Sequence, residues 1–485
     1  MRKGVLLLFA AAIALTPAAA QQVRNIDPRD VAEAQRDNAQ LIEELGGAET
    51  GPRTAYVEAV GRRVSAYSGL ANPGEALHFT TLNSAVENAF SIPGGYVYIT
   101  RQLMTLMGDE SQLAFALGHE VGHIAGNHAK QREAIERRLT WEALPYIMMG
   151  QMMGGLGNEI AMRNLLAVKL QSLSFSREQE YEADTLGMRY MIAAGYDPAG
   201  AALLLAQLSR ETALQARVQG RTNRQIPEWA STHPLSENRM RRAVQEARAT
   251  GRFGKGMRNR VAFLNALEGI YVDDDPAQGI IDGPVFTHPD LRIQFRVPAG
   301  YRMSNGTDAV TIGGSAGKAQ FRGGRANMSL DDYIPRVFQQ LIQGGRVQIP
   351  RPTRTTVNGM PAEFTTVHVN TDSGVVDASV MAYQWDPQHI YHFVMVTKGG
   401  AGIGPFAPLV NSLRKISPSE AASIRPRIIH VVTVRAGDTV QSLASRMAYS
   451  DFKLDRFLTL NGFTAKTALT PGQKVKLIVY GERRS

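Results

Sequence analysis

The chain has 485 residues, a formal net charge of +9 at pH 7, 44% hydrophobic residues and no cysteine. The lack of cysteine excludes a disulfide-stabilised scaffold and a lipidated amino-terminal cysteine, and the length predicts about three domains. The positive charge favours anionic partners, but no basic block with interleaved aromatic residues indicates nucleic-acid binding.

The first twenty residues are predicted to be a secretory signal peptide. Arg2 and Lys3 precede an apolar run, Val5–Leu15, and Ala18–Ala20 supply an Ala-x-Ala pattern before Gln21. A membrane-spanning helix needs about 20 apolar residues, and this run is shorter. We therefore expect cleavage after residue 20, no transmembrane segment in the mature chain, and a periplasmic location.

Residues 30–70 have helical periodicity, and His78–Thr81 and Gly95–Thr100 alternate in the manner of strands. The next element carries an H-E-x-x-H motif, His119–His123, behind an apolar, helix-forming run. Residues four positions apart share one face of a helix, so His119 and His123 can bind one zinc ion at about 2.0–2.1 Å. Glu120 can act on a water molecule at that metal as a general base.

Gly118 and Gly122 flank the first histidine of this motif. Each glycine lowers helix propensity by about 1 kcal/mol relative to alanine. Such residues are useful where another element must approach closely, so we expect a second helix to pack against this one.

A charged segment farther along the chain, Ser176–Asp184, is predicted to complete the site. Glu180 and Asp184 are four positions apart and share a helix face. A Glu180 carboxylate would complete a His₂Glu site with a fourth position left for water, and Asp184 could accept a hydrogen bond from the far nitrogen of a ligand histidine. Taken alone, this segment also fits a solvated, charged helix.

Together these motifs resemble the zinc metallopeptidase family that includes the CAAX prenyl endopeptidases, HtpX and the periplasmic protease BepA. The resemblance spans roughly residues 30–250 and includes Asn83-Ser84, Asn88–Gly95, the E-x-x-A-D pattern at Glu180–Asp184, Gly195–Pro198, and Thr232–Leu235 with Arg239. It implies the soluble, BepA-like branch and a single zinc ion bound by His119, His123 and Glu180. It also implies Glu120 as general base and Asp184 as the residue that supports the site.

Three other polar residues have alternative roles. In BepA-like relatives the histidine of the His-Pro element can approach the zinc, so His233 is a candidate fourth ligand, although it also fits a loop histidine before a proline. Arg239 could stabilise an oxyanion or form a surface salt bridge. His128 lies about 140° around the helix from His123 and is not expected to be a ligand.

Two features near the site concern substrate binding. We expect a free strand edge beside the metal, where an extended peptide could add to the sheet. Residues 144–157 are rich in methionine and glycine, and they fit either apolar packing or an adaptable lid over the cleft.

A second unit begins near Asp273–Pro276 and is expected to be an α+β sheet domain. Its predicted strands include Leu291–Val297 and Val375–Trp385, and its predicted helices are Leu330–Gln343 and Phe406–Leu413. We find no catalytic constellation in it, and we expect it to bind clients or partners.

Residues 430–480 closely resemble a LysM domain, a βααβ module that binds the N-acetylglucosamine backbone of peptidoglycan. Gly437–Thr439 and Leu469–Gln473 would form the two loops on either side of the glycan. A module that binds protein or nothing is the alternative, because a fold does not fix a function.

The sequence therefore predicts an α+β multidomain protein with these parts: signal peptide (1–20), mainly helical zincin-type metalloprotease domain with a small sheet (21–270), α+β domain (271–416), linker (417–429) and LysM-like domain (430–480). The predicted function is zinc-dependent cleavage of misfolded or stalled envelope proteins by an enzyme tethered to peptidoglycan. The alternatives are a chaperone-like binding protein whose zinc site is blocked by His233, and a cell-wall hydrolase.

Overall fold

The structure is a computed structural model that describes residues 23–131, 175–218, 233, 237–307, 309–341, 348–371 and 374–483. The predicted signal peptide (1–20), the methionine- and glycine-rich segment (144–157) and residues 232, 234 and 235 of the His-Pro element lie outside the described residues. None of the described helices has both the length and the apolar character needed to cross a bilayer.

Helices and several sheets alternate along the described chain, which makes it a multidomain α+β protein. The α-helices are α1 (Pro28–Glu44), α2 (Pro52–Ser65), α3 (Pro73–Ala76), α4 (Arg101–Leu106), α5 (Glu110–Ala125), α6 (Arg177–Ala193), α7 (Ala199–Val218), α8 (Glu237–Ala249), α9 (Arg260–Leu267), α10 (Leu330–Leu341), α11 (Ala407–Ser412), α12 (Pro418–Ser423), α13 (Val440–Ala444) and α14 (Lys453–Asn461). The strands are β1 (His78–Leu82), β2 (Ala89–Ile92), β3 (Tyr96–Thr100), β4 (Tyr271–Val272), β5 (Ile280–Asp282), β6 (Val285–His288), β7 (Ile293–Arg296), β8 (Arg302–Asn305), β9 (Val310–Gly314), β10 (Gly317–Arg325), β11 (Thr353–Val357), β12 (Met360–Thr371), β13 (Gly374–Asp386), β14 (His389–Lys398), β15 (Arg414–Lys415), β16 (Arg427–Thr433) and β17 (Lys474–Tyr480).

A small three-stranded sheet precedes the motif helix. β1 pairs in parallel with β3, and β2 pairs with β3 in the antiparallel direction, so the strand order is β1-β3-β2. Every residue of β3 is buried, as its central position requires. Among the described strands, β2 has a hydrogen-bonded neighbour on one side only, so its other edge has no strand partner within this part of the chain.

Helix α5, which carries the H-E-x-x-H motif, is buried along almost its whole length. Asp109 caps its amino terminus by accepting a hydrogen bond from the Ser111 amide at 3.1 Å. Leu113, Phe115 and Val121 join the main apolar core, and helices α2, α6 and α7 surround α5. An apolar run with helical caps thus becomes the central helix of the domain.

Helices α5 and α6 approach each other through small residues. A Cβ atom on Gly118 would lie 3.1 Å from the Gly187 carbonyl oxygen, and one on Gly187 would lie 2.7 Å from the His119 backbone nitrogen. A Cβ on Gly122 would lie 3.2 Å from the Ala183 oxygen. The expectation that a second helix packs closely against the motif helix is confirmed.

The middle of the chain contains two antiparallel sheets, with strand orders β11-β12-β13-β14-β10-β9-β8 and β15-β7-β6-β5. Alternate residues of β13 enter two different cores: Val380 and Ala382 pack with α10, whereas Met381 and Tyr383 pack with the second sheet and α11. The period of two in a strand places these sets on opposite faces. The larger sheet is therefore covered on both faces.

The last unit has the order β16, α13, α14, β17, with the two strands paired in the antiparallel direction. Strand β4, which follows the helical region, pairs with β16 and adds a third strand to this sheet. Leu443, Phe457 and Leu477 belong to the same apolar core as Leu113 of α5. The βααβ unit therefore packs directly on the helical region.

Residues 417–429, predicted as a linker, contain α12 and the start of β16. Ser417 and Glu420 form a capping box at the start of α12, with Pro418 in the first turn. This S-x-x-E pattern was present in the sequence, and it explains why the segment is helical.

Candidate metal centre

Helix α5 presents His119 and His123 on one buried face. Their side chains are turned toward each other, with 3.0 Å between the two Nε2 atoms. His119 is 3% exposed and His123 is 2% exposed. The i, i+4 spacing therefore places two imidazole nitrogens at one point, as the sequence predicts.

Helix α6 brings two carboxylates to the same point. It begins with a capping box between Ser176 and Gln179, which fixes the register of its first turn. Glu180 Oε1 lies 3.4 Å from His123 Nε2, and Glu180 Oε2 lies 3.6 Å from His119 Nε2. Asp184, one turn later, places Oδ1 3.0 Å from His119 Nδ1.

His233 occupies the remaining side of this group. Its Nδ1 atom lies 2.9 Å from Glu180 Oε1 and 3.3 Å from His119 Nε2. Its Nε2 atom lies 3.5 Å from Glu120 Oε1, and the side chain is 1% exposed. The structure thus brings His233 into contact with His119, Glu180 and Glu120.

The four side chains fit a zinc ion. The donor atoms of His119, His123, Glu180 and His233 lie within 4.8 Å of one another and are all buried. The separations given above resemble the edge of a tetrahedron with bonds of about 2.0–2.1 Å, which is roughly 3.4 Å. Imidazole nitrogens with one carboxylate are ligands that zinc prefers.

Arg239 of α8 fixes the two acidic residues. Its Nε and Nη2 atoms donate to the Asp184 carboxylate at 2.8 and 2.7 Å, and Nη1 lies 2.5 Å from Glu180 Oε2. The side chain is 1% exposed, so the prediction that Arg239 forms a surface salt bridge is wrong. Because the guanidinium faces these carboxylates, the oxyanion role is not supported either.

Burial and charge set the protonation states of the group. Burial lowers the pKa of His123 well below its usual range. Burial alone would raise the pKa of Glu180, but the charges of His233 and Arg239 bring it well below its usual range. A neutral imidazole and an ionised carboxylate are the forms that bind a metal.

The pKa values of Asp184 and His233 are also shifted. Burial opposes ionisation of Asp184, but the Arg239 charge and hydrogen bonds from His119 and Arg239 lower its pKa. Burial would lower the pKa of His233, yet the carboxylates of Glu180 and Glu120 raise it. Because an imidazole nitrogen binds a metal only without its proton, protonation of His233 competes with metal binding there.

Glu120 lies beside the group without being part of it. Its Oε2 atom accepts a hydrogen bond from Ser91 Oγ at 3.1 Å, and its main-chain oxygen accepts from the same hydroxyl at 3.2 Å. Ser91 belongs to β2, the edge strand of the small sheet as the described residues show it. The sheet edge and the carboxylate therefore lie next to each other.

Two residues that the sequence analysis did not select contact His123 from its far side. His128 Nδ1 lies 2.9 Å from His123 Nδ1, and the Phe175 ring stacks on the His123 ring with 3.8 Å between centroids. Asn127 has a positive φ of 56°, which turns the chain back after α5. His128 is therefore a partner of His123 and is outside the group of candidate ligands.

A cavity of about 470 Å³ opens beside His123. Its walls include Ile26, Ile92 and Phe175, together with Asp27 and Lys130, whose side chains form an ion pair of 2.7 Å. An apolar cleft next to the convergent nitrogens is a suitable place for part of a substrate.

Comparison with known proteins agrees with this geometry. Residues 52–247 match peptidase family M48, and residues 432–477 match the LysM domain. The first match contains all four metal-facing residues, and the second coincides with the βααβ unit.

Several proteins are similar over the peptidase region. The chain is 31% identical to the Beta-barrel assembly-enhancing protease of Escherichia coli strain K12 over 199 residues, which cover 40% of this chain and 39% of that protein. It is 29% identical to Mitochondrial metalloendopeptidase OMA1 of Schizosaccharomyces pombe over 191 residues, which cover 39% of this chain and 52% of that protein. The similarity thus spans about half or less of each relative. The chain thus contains a region that matches peptidase family M48, residues 52–247, and a LysM domain at residues 432–477.

Proposed function

We propose that this chain is an exported zinc-dependent endopeptidase that cleaves envelope proteins, and that its LysM domain holds it at peptidoglycan. One observation carries the proposal. The buried side chains of His119, His123 and Glu180 converge from helices α5 and α6, with Glu120 beside them, inside the region that matches family M48. We assign the first three as zinc ligands and Asp184 as the residue that orients His119.

The chemistry divides between the ion and the chain. When bound, zinc supplies a Lewis acid that polarises a carbonyl group and favours deprotonation of water. The Glu120 carboxylate, oriented by Ser91, takes a proton from the attacking water and delivers it to the leaving amine. The new C–O bond forms at the carbonyl carbon, and the C–N bond then breaks.

Strand β2 is placed to bind the substrate backbone. Its outer edge has no strand partner among the described residues and lies next to Glu120 through Ser91, so a peptide could pair with it in an extended conformation. The cavity beside His123 could then take a side chain of that peptide. This arrangement supports a protein or peptide substrate.

Two features support the envelope as the place of action. The first is the amino-terminal sequence, which has the pattern of a signal peptide. The second is the similarity to a protease whose name concerns β-barrel assembly. We propose misfolded or stalled envelope proteins as the substrates.

The substitution Glu120→Gln tests the enzymatic role. It keeps the shape of the side chain but removes the base, so we expect casein cleavage to fall roughly 10²–10⁴-fold. One zinc ion per chain, measured by elemental analysis, should remain. The matched control is Glu178→Gln on the exposed face of α6, which should cleave casein at the original rate.

A chaperone-like binding protein is the second candidate, and the position of His233 favours it. His233 Nδ1 faces Glu180 and His119 where a fourth ligand would be, while its Nε2 faces Glu120. If Glu120→Gln preserves client binding and envelope phenotypes while His119→Ala removes both, the metal is structural. Casein cleavage by Glu120→Gln at the original rate would also contradict the enzymatic proposal.

A further inference from the structure

A second cavity, of about 410 Å³, lies where the LysM domain meets the peptidase domain. None of the four metal-facing residues lines it. Arg210, Arg258 and Arg260 line it from the peptidase side, and Phe463 and Gln473 line it from the LysM side. It is therefore a joint site of the two domains.

The cavity is positively charged. Arg258 is paired with Asp109 through Nε at 2.8 Å and Nη2 at 2.5 Å. Arg260 instead donates to main-chain oxygens, at 2.5 Å from Gly108 and 3.2 Å from Lys474. Of the described residues that line the cavity, none is acidic. Of the three guanidinium groups, only that of Arg258 is paired with a carboxylate in the contacts above, and the excess positive charge favours an anion.

The two walls of the cavity are fixed relative to each other. The buried amine of Lys476 in β17 donates to the Thr105 oxygen and, at 2.6 Å, to the Met107 oxygen. The Gln207 amide of α7 donates to the Thr459 oxygen of α14. The site is preformed, so a ligand does not have to order the two domains.

The LysM wall belongs to the loop between α14 and β17. Phe463 and Gln473 stand near the two ends of this loop, and residues 469–473 are those that resemble a glycan-binding loop. A glycan strand that follows this loop can therefore place its substituents against the peptidase arginines.

We propose that this cavity binds the carboxylate-bearing peptide substituents of the peptidoglycan strand that the LysM domain holds. Guanidinium groups bind carboxylates through paired, charge-assisted hydrogen bonds, and the Arg210 side chain is exposed on helix α7. The inference rests on the proposed glycan binding by the LysM domain. It adds that the peptidase domain contributes residues to that binding.

The test uses the full chain and two matched ligands: soluble peptidoglycan fragments, and the same fragments after their carboxylates are converted to amides. At low salt we expect calorimetry to give about tenfold tighter binding of the native fragments, because charge-assisted hydrogen bonds are lost on amidation. High salt should reduce this preference. Arg210→Gln should weaken binding of the native fragments about fivefold and leave binding of the amidated fragments unchanged.

The matched control is Arg446→Gln, which removes the same charge from an exposed position of the LysM domain outside this cavity. It should leave both affinities unchanged. Equal binding of native and amidated fragments, or an equal effect of both substitutions, would overturn the shared site but leave glycan binding intact. If the wild-type chain binds neither ligand, the proposed LysM function fails as well.

Discussion

At the scale of single residues, each imidazole of α5 has a partner on the nitrogen that faces away from the metal position. Asp184 Oδ1 lies 3.0 Å from His119 Nδ1, and His128 Nδ1 lies 2.9 Å from His123 Nδ1. Such partners fix the tautomer and the orientation of a ligand histidine. These two contacts orient both Nε2 atoms toward the metal position.

His128 provides a test of this arrangement. Replacing it by leucine removes the acceptor for the His123 Nδ1 proton while keeping an apolar side chain in a buried position, so we expect zinc affinity to fall about tenfold or more. Competition with a chelating dye would measure it. His128→Asn, which keeps an acceptor, should restore part of the affinity.

The control for His128→Leu is His430→Leu. His430 lies on the surface of the LysM domain and pairs with Glu268. This substitution should leave zinc affinity unchanged. Equal zinc affinity in His128→Leu and the wild-type chain would contradict the orienting role.

The spacing of residues predicted the grouping of the candidate ligands but not the two residues that contact His123 from its far side. The four-residue spacings placed His119 with His123, and Glu180 with Asp184, on single helix faces. The contact between His128 and His123 was not predicted, because α5 ends at Ala125 and Asn127 has a left-handed backbone conformation. Helical periodicity therefore no longer applies at His128. Phe175 lies far from His123 in sequence, and only the tertiary fold joins them.

At the scale of elements, the site depends on the close packing of α5 on α6. The glycines of α5 suggested a close neighbour, but its identity depends on Gly187, which is distant in sequence. The first turn of α6 carries Glu180 and its middle carries Asp184. The distance between the two helices therefore sets how far the carboxylates reach toward the imidazoles.

Gly187→Ala should separate these helices. The added Cβ would lie 2.7 Å from the His119 backbone nitrogen, so the backbone must shift, and we expect a loss of about 1–3 kcal/mol in the free energy of unfolding together with weaker zinc binding. Urea unfolding with and without zinc would measure both effects.

Gly313→Ala is the control for this substitution, since a Cβ at Gly313 in β9 would meet nothing within 4 Å. It should change neither property. Because alanine favours a helix over glycine by about 1 kcal/mol, a more stable Gly187→Ala protein would show that the contact is not tight.

At the scale of the whole molecule, the LysM domain is joined to the peptidase domain by a shared core and by a shared sheet. The sequence pattern predicted its βααβ order. It did not predict that β4 pairs with β16, because strand pairing between distant segments leaves no local pattern. Arg101 fixes this junction, since its buried guanidinium donates to the Tyr271 oxygen at 2.9 Å and to the Asp273 oxygen at 2.6 Å.

Arg101→Met should weaken the junction. It removes the guanidinium that donates to these two oxygens and to the Asn83 side-chain oxygen at 2.6 Å, and the loss of one partner of a buried hydrogen bond costs about 1–3 kcal/mol. We expect a loss of at least about 2 kcal/mol in urea unfolding and faster proteolytic separation of the two domains. Arg36→Met, on the exposed face of α1, should show neither effect, and an unchanged unfolding midpoint for Arg101→Met would refute the role of this residue.

The central claim is that side chains from separate parts of the chain bind one zinc ion. Crystals of the full chain measured just above and just below the zinc absorption edge test it most directly. We predict a single anomalous peak about 2.0–2.2 Å from His119 Nε2, His123 Nε2 and a Glu180 oxygen. A zinc-loaded chain with no peak there, or with its peak bound by other residues, would contradict it.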